Sequence, residues 1–144
     1  MSWDELEQLY HAASPGAVPS GYARGRALYR PGKPLSGPRT ATARLLWKGK
    51  HFDPCGGTLV NQWLGFRAVP ARVFYGESWL DGGPSIIMDY EGTSRLVWAD
   101  VRDEIREVAP GLYLGLMFRR RSCPQFKIFF ALEGCTPATP SDFQ

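Results

Sequence analysis

The sequence predicts a mainly β protein: a small antiparallel β-barrel with an N-terminal helix and one short helix after the first strand. Segments rich in β-branched and aromatic residues fill most of the chain beyond Lys48. Turn sequences, of which Leu80 to Ser85 (LDGGPS) is the clearest, separate these segments closely enough for antiparallel pairing. About seven or eight strands in one small domain must also protect their edges, and closure into a barrel achieves this.

The first dozen residues or so are the predicted N-terminal helix. Ser2 and Glu5 have the spacing of a capping box, and apolar residues then recur at helical spacing until Ser14-Pro15-Gly16. A single apolar stripe must pack on a partner surface, so we expect this helix to cover the rest of the domain.

The first strand is predicted at Gly21 to Arg30, although glycines at 21 and 25 need a reason inside a strand. We expect Gly21 and Gly25 to let the strand bend as the barrel closes and to leave space for a close neighbour. Pro31 to Pro38 is turn-like. Arg39 to Trp47 (RTATARLLW) is the predicted short helix, which alanine and leucine support and two threonines weaken.

The remaining strands are predicted where β-branched and aromatic residues concentrate between turns. They are Thr58 to Leu64, Ala68 to Leu80, Ser85 to Tyr90, Ser94 to Val108, Leu112 to Arg120 and Phe126 to Leu132. The segment Cys135 to Gln144 contains two prolines and few apolar groups, which predicts a loose tail. The chain is therefore predicted to form one barrel domain over residues 1–134, followed by a tail at 135–144.

Composition restricts the class of protein. Aromatic residues make up 13% of the chain, enough to fill a core and line a cavity, and the net charge of +3 is too small to indicate nucleic acid. No apolar run approaches the length of a membrane span, and the acidic N-terminus lacks the pattern of a signal peptide. Three cysteines without a C-x-x-C pair indicate a reduced setting, so a cytoplasmic location is predicted.

The charged segment Val101 to Val108 (VRDEIREV) is the first candidate site. Strand alternation places Arg102, Glu104 and Arg106 on one face. One interpretation is a solvated strand with cross-strand ion pairs. In the other, Arg106, and after it Arg102, points into the barrel and holds a carboxylate, an enolate or a phosphate.

Asp89 and Tyr90 end an apolar strand and form the second candidate site. A buried carboxylate there would need a partner or would have a raised pKa, which suits a general acid or base. The alternative is an exposed aspartate at the end of a strand.

Other reactive patterns are incomplete. His51 and Asp53 lack a third ligand nearby, so neither a metal site nor haem is predicted. Gly76 to Leu80 (GESWL) lacks the second glycine of a nucleophile elbow. Arg119 to Arg121 beside aromatic residues could suit single-stranded nucleic acid, but the small net charge favours a solvated hairpin tip. No cofactor, metal or nucleic acid is therefore predicted.

Several short motifs occur in the order in which GXWXG-domain proteins of bacteria have them. Gly21 to Gly25 (GYARG) has the spacing of the GXWXG motif with alanine in place of tryptophan, and Trp47 to Phe52 (WKGKHF) is similar to the W-x-G-K-x-F segment. Further segments resemble the companion C-terminal domain of those proteins: Arg72 to Gly76, Asp81 to Ile86, Asp89-Tyr90, Val108 to Met117 and Phe129-Phe130.

The chain thus resembles GXWXG-domain proteins of unknown function over about Gly21 to Leu132, with Glu91 to Asp103 as an insertion. A G-x-W near the first strand also occurs in calycins, the lipocalin and fatty-acid-binding-like barrels. The resemblance therefore implies a barrel with an internal ligand cavity.

The predicted function is the binding of a small hydrophobic ligand inside a lipocalin-like barrel. Its predicted ligand-binding residues are Arg102, Trp47, Trp63, Phe74, Trp79, Trp98, Tyr113 and Phe129. The alternative is a cofactor-independent isomerase, cyclase or lyase, in which Asp89 or Glu104 moves a proton. Arg106 or Tyr90 would then stabilise developing charge. A carboxylate or an enolisable carbonyl is the polar group considered for the ligand, and a homodimer is left open.

Overall fold

Eight strands in sequence order form the wall of a closed barrel in the computed structural model, which describes residues 1–29, 46–94, 98–120 and 125–134. The strands are β1 (Gly21–Tyr29), β2 (Trp47–Phe52), β3 (Thr58–Trp63), β4 (Phe66–Glu77), β5 (Pro84–Asp89), β6 (Val101–Ala109), β7 (Leu112–Arg119) and β8 (Gln125–Gly134). Each strand is antiparallel to the next, and β8 pairs with β1. The prediction of a mainly β, closed antiparallel barrel is confirmed.

The interior of the barrel is filled by a hydrophobic cluster to which every strand contributes. Its buried members include Ala23, Phe52, Leu59, Ala71, Ile86, Ile105, Tyr113 and Leu132. Because successive side chains of a strand point to opposite faces, the residues between these positions lie on the outer surface of the barrel.

Helix α1, Trp3–Ala12, packs on that outer surface. It begins at the predicted capping box: the hydroxyl of Ser2 accepts from the backbone N–H of Glu5 at 3.2 Å, and the Glu5 carboxylate accepts from the N–H of Ser2. The buried face of the helix, Leu6 and Tyr10, joins a second hydrophobic cluster with Leu114, Leu116, Phe118 and Phe129. Among the described residues, no helix is both long enough and apolar enough to pass through a membrane.

The segment between α1 and β1 packs across one end of the barrel. The backbone N–H of Glu107 donates to the carbonyl of Pro15 at 3.1 Å, and the hydroxyl of Tyr113 donates to the carbonyl of Ala17. Val18 packs against the interior cluster. The free space of the interior therefore lies towards the other end, where β2 begins and β7 ends.

Some predicted elements differ from the structure or fall outside it. Trp47, predicted as the last residue of the short helix, instead begins β2, a strand that the sequence did not predict. Residues 39–45 of that helix and the predicted tail at 135–144 lie outside the described residues. The strand predicted from Ser94 begins at Val101, since residues 98–100 form a turn. Composition missed β2 because lysines and a glycine, which strands disfavour, make up half of WKGKHF.

Candidate ligand cavity

A cavity of about 280 Å³ lies inside the barrel at the end where β2 begins and β7 ends. Its wall is mainly apolar and includes Trp47, Trp63, Trp98, Val101, Met117 and Phe130. The rings of Trp63 and Trp98 pack with centroids 5.5 Å apart, and Trp47 meets Phe130 edge to face at 5.7 Å. A cavity of about 150 Å³ holds benzene, so this one has room for a molecule of about two fused rings.

Four buried polar side chains, Lys50, Asn61, Tyr90 and Asp103, line the same cavity, and we call them the polar quartet. The Nζ atom of Lys50 donates to the other three, at 2.9 Å to Asn61 Oδ1, 2.6 Å to the Tyr90 hydroxyl and 2.9 Å to Asp103 Oδ2. An ammonium group has three N–H donors. Every donor of Lys50 is therefore used within the quartet.

Strand register brings the polar quartet together. Lys50 on β2 pairs directly with Asn61 on β3. Tyr90 follows β5, and its backbone N–H bonds the carbonyl of Val101 at 3.4 Å, which brings its side chain beside Asp103 on β6. Lys50 and Asp103 are 53 positions apart in the chain, so only closure of the sheet makes them neighbours.

One oxygen of the polar quartet has no partner. Asp103 Oδ2 accepts from Lys50 at 2.9 Å and from the Tyr90 hydroxyl at 3.1 Å. Asp103 Oδ1 is buried as well, and in the described part of the chain it receives no hydrogen bond. A buried polar atom left unpaired costs about 1–3 kcal/mol, so the polar quartet contains an acceptor whose hydrogen bond is not made within the described residues.

Burial changes the pKa of two members of the quartet. Desolvation lowers the pKa of Lys50, while the charge of Asp103 and the hydrogen bond to it act in the opposite direction. Desolvation raises the pKa of Tyr90 well above its ordinary value, and the neighbouring Asp103 carboxylate adds to that rise. Tyr90 is therefore a neutral donor at physiological pH. Lys50 and Asp103, 2.9 Å apart, form a buried ion pair.

A strained residue supports the polar quartet. Val69, which also lines the cavity, has a φ of +67°, a conformation that β-branched residues rarely adopt. It lies where the β3–β4 register shifts, and its carbonyl accepts from the side-chain amide of Asn61 at 2.9 Å. The bulge thereby orients Asn61 so that its Oδ1 faces Lys50.

The predicted aromatic and tyrosine site residues divide between the cavity and other places. Those that line the cavity are Tyr90, Trp47, Trp63 and Trp98. Tyr113 belongs to the interior cluster, towards the end covered by the α1–β1 segment. Trp79 and Phe129 belong to the outer cluster beneath α1, and Phe74 lies on the surface with 40% of its area exposed.

Strand β6 presents its predicted charged residues away from the cavity. Val101 and Asp103 line the cavity, so alternation puts Arg102, Glu104 and Arg106 on the outer face. All three are nevertheless buried, with at most 6% of their surface exposed.

These outer charges connect α1 to the barrel. The Glu104 carboxylate accepts from the Tyr10 hydroxyl and from Arg102, each at 2.8 Å. Arg106 forms a two-bond fork with Asp81, at 2.7 and 2.6 Å, and donates to the backbone carbonyl of Tyr10 at 2.8 Å. Their observed contacts are therefore structural.

Asp89 also lies on the outer side of the barrel wall. Its carboxylate accepts two hydrogen bonds from Arg120, at 2.7 and 2.8 Å, and a third from Arg72 at 3.2 Å. Burial acts to raise the pKa of Asp89, but the hydrogen bonds and charges of these arginines outweigh it and lower the pKa. Asp89 is consequently an ionised, paired carboxylate.

Lys50, Asn61 and Asp103 are the members of the polar quartet that sequence reasoning missed. For Asp103 a signal existed: it stands between Val101 and Ile105 at strand spacing, so an acid lies between two apolar residues of one face. Lys50 gave no such signal because β2 itself was not predicted. The described residues contain no group of three His, Cys, Asp or Glu side chains that could hold a metal ion.

A solved crystal structure of a protein from Thermomonospora curvata is similar to this chain. The two superpose with a TM-score of 0.60 over 94% of this chain and 88% of the other, at 17% sequence identity. At that identity the likeness shows the fold alone. No protein-family model matches the sequence, and no curated protein matches it. The eight-stranded barrel is compatible with a calycin-like fold, whereas the resemblance to GXWXG-domain proteins is not confirmed.

Proposed function

We propose that this protein binds a small, mostly apolar molecule inside the barrel. The observation that carries the proposal is a cavity of about 280 Å³ whose aromatic wall is interrupted by the buried polar quartet. Ligand sites typically combine such an apolar lining with a few placed polar groups that fix orientation. Trp47, Trp63 and Trp98 would contact the body of the ligand, and Tyr90 would lie near its polar end.

The alternative of an acid–base enzyme in the same cavity has less support. Of the residues predicted to be catalytic, Tyr90 lines the cavity. Asp89, Glu104 and Arg106 lie on the outer side of the wall and are engaged by partners there. Binding is therefore the function that the geometry favours.

The binding of 2-ethylnaphthalene, a two-ring hydrocarbon, measured by equilibrium dialysis tests the proposal. Val101→Phe places a ring in the cavity and should weaken binding by about tenfold or more, because a filled volume cannot hold the probe. Val60→Phe makes the same change on the outer side of β3, opposite His51 and Pro70, and should leave the affinity within about twofold.

Circular dichroism of both variants verifies that the barrel is folded. The proposal fails if the wild-type protein does not bind the hydrocarbon, or if a folded Val101→Phe protein binds it as well as the wild type does.

A further inference from the structure

We infer that the molecule bound in the cavity is neutral and donates a hydrogen bond, as an alcohol or an amide N–H does, to Asp103 Oδ1. The inference rests on the proposed function and specifies the polar end of its ligand. It follows from how the hydrogen-bonding capacity of the polar quartet is used.

The unpaired atom is an acceptor. Asp103 is 5% exposed, lines the cavity and directs Oδ2 to Lys50 and Tyr90, whereas Oδ1 is buried without a partner in the described residues. A carboxylate oxygen accepts hydrogen bonds and cannot donate one while it is ionised. A ligand that supplies an O–H or N–H at this place forms a charge-assisted hydrogen bond and removes the cost of the unpaired atom.

A carboxylate ligand does not fit against the polar quartet. The three N–H groups of Lys50 are already donated to Asn61, Tyr90 and Asp103, so no donor of that amine remains for it. It would also lie against the Asp103 carboxylate, and like charges in a buried site repel strongly. The carboxylate considered from the sequence is therefore disfavoured as the polar group of the ligand.

A cationic ligand is disfavoured by the charge of the quartet as a whole. Lys50 and Asp103 form a buried ion pair that sums to zero, and Tyr90 is neutral. Arg119, which also lines the cavity, is paired with Asp100 at 2.6 Å. An ammonium group in the cavity would thus leave a net positive charge among aromatic rings, away from water.

Four probes with the same naphthalene body and different polar ends test the inference on the wild-type protein. They are 2-naphthalenemethanol, the nearly isosteric 2-ethylnaphthalene, 2-naphthoate and 2-naphthylmethylammonium, each measured by equilibrium dialysis at neutral pH. The alcohol should bind about tenfold more tightly than the hydrocarbon, which is the effect expected of a hydrogen bond to a charged group. Both ions should bind at least about tenfold more weakly than the alcohol.

Replacing the acceptor by a donor should reduce the preference for the alcohol. In Asp103→Asn, the side-chain oxygen can keep the bond to Lys50 and the amide N–H₂ then takes the place of Oδ1. The alcohol can accept from this amide, but a neutral hydrogen bond replaces a charge-assisted one, so its advantage over the hydrocarbon should become smaller. 2-Acetylnaphthalene, which only accepts, should gain affinity relative to the alcohol. Glu133→Gln changes a surface acid, 63% exposed and away from the cavity, and should leave the wild-type order intact.

The outcomes separate the inference from the proposed function. If the hydrocarbon binds and Val101→Phe abolishes this, but the alcohol binds no more tightly, the cavity is a binding site and the inference is wrong. The inference is also wrong if 2-naphthoate or 2-naphthylmethylammonium binds more tightly than the alcohol. If none of the four probes binds, both proposals fail. Should Asp103→Asn not fold, the order of affinities in the wild-type protein decides alone.

Discussion

Lys50 is the residue on which the interior of the barrel most depends. Its ammonium is 2% exposed, and the rings of Trp47, Tyr90 and Phe130 lie with their centroids 5.3 to 5.7 Å from it. Removing an ammonium from water costs several kcal/mol, which the Asp103 carboxylate and three hydrogen bonds must offset. Such a group is tolerated only while all of its partners stay in place.

Lys50→Met should therefore destabilise the protein by about 3–5 kcal/mol, because it leaves the Asp103 carboxylate buried without a cation. The double substitution Lys50→Met with Asp103→Leu should cost less than the sum of the single ones, since it removes both charges together. Urea unfolding followed by tryptophan fluorescence gives the free energy of unfolding of the wild type, of Lys50→Met, of Asp103→Leu and of the double variant.

An ion pair on the surface serves as the control. Arg24 and Glu133 lie 2.7 Å apart with 73% and 63% of their side-chain surface exposed. Arg24→Met should cost less than about 1 kcal/mol, because water replaces the lost partner. If Lys50→Met costs no more than Arg24→Met, the amine is not essential to the interior.

At the scale of elements, the contact between β1 and β2 shapes the cavity. Three positions on the inner face of β1, Ala23, Gly25 and Ala27, are small, and β2 supplies the large Trp47 opposite them. A Cβ atom on Gly25 would lie 2.4 Å from the Trp47 ring. The alanine and glycine of GYARG thus leave room for an indole from the next strand, and Trp3 lies elsewhere, against Phe126 and Phe129 outside the barrel.

Gly25→Ala should destabilise the protein by about 1–3 kcal/mol, the usual cost of overpacking, and should also weaken the binding of 2-ethylnaphthalene because the displaced Trp47 lines the cavity. Gly134→Ala on β8 is the matched control. Its added Cβ would meet the nearest atoms at 3.8 Å, an ordinary contact distance, so stability and affinity should change little. Equal effects of the two substitutions would contradict the close packing of Trp47 on Gly25.

The elements that sequence predicts well are those with strong local signals. The capping box of Ser2 and Glu5 located α1, and the turn at Leu80 to Ser85 located the β4–β5 hairpin. The need to protect exposed strand edges predicted that the sheet closes into a barrel. The polar quartet depends instead on which strands become neighbours and in what register. No local pattern joins Lys50 to Asp103, and without β2 the inward direction of Lys50 could not be inferred.

At the scale of the whole molecule, the tyrosines that are buried among the described side chains, three in number, are distributed over the barrel. Tyr10 lies on the buried face of α1, Tyr90 lines the cavity and Tyr113 lies at the covered end; each is at most 2% exposed. Desolvation raises the pKa of each above its ordinary value, and nearby carboxylates add to the rise. The outer cluster, the cavity and the covered end thus share the same sensitivity to alkaline pH.

The protein should consequently lose stability from about pH 10 upward. Tyrosines of the unfolded chain ionise near that pH while these three stay protonated in the fold, so the unfolded state binds fewer protons and the free energy of unfolding falls as pH rises. Three such groups give a slope of about 4 kcal/mol per pH unit. The lowered pKa of Lys50 acts in the opposite direction, but only below the ordinary lysine pKa, so it moderates the loss near pH 10 and not beyond.

Urea unfolding at a series of alkaline pH values measures this slope, and tyrosinate absorbance reports whether the buried tyrosines ionise before the fold is lost. Tyr113→Phe removes one of the three groups and should reduce the slope by about a third, because each tyrosine contributes about 1.4 kcal/mol per pH unit. A slope that stays the same in this variant would mean that Tyr113 ionises in the folded protein as readily as in the unfolded chain. Burial at the covered end would then not raise the pKa of Tyr113. The slopes of Tyr10→Phe and Tyr90→Phe test in the same way whether burial under α1 and burial in the cavity raise the pKa of the other two tyrosines.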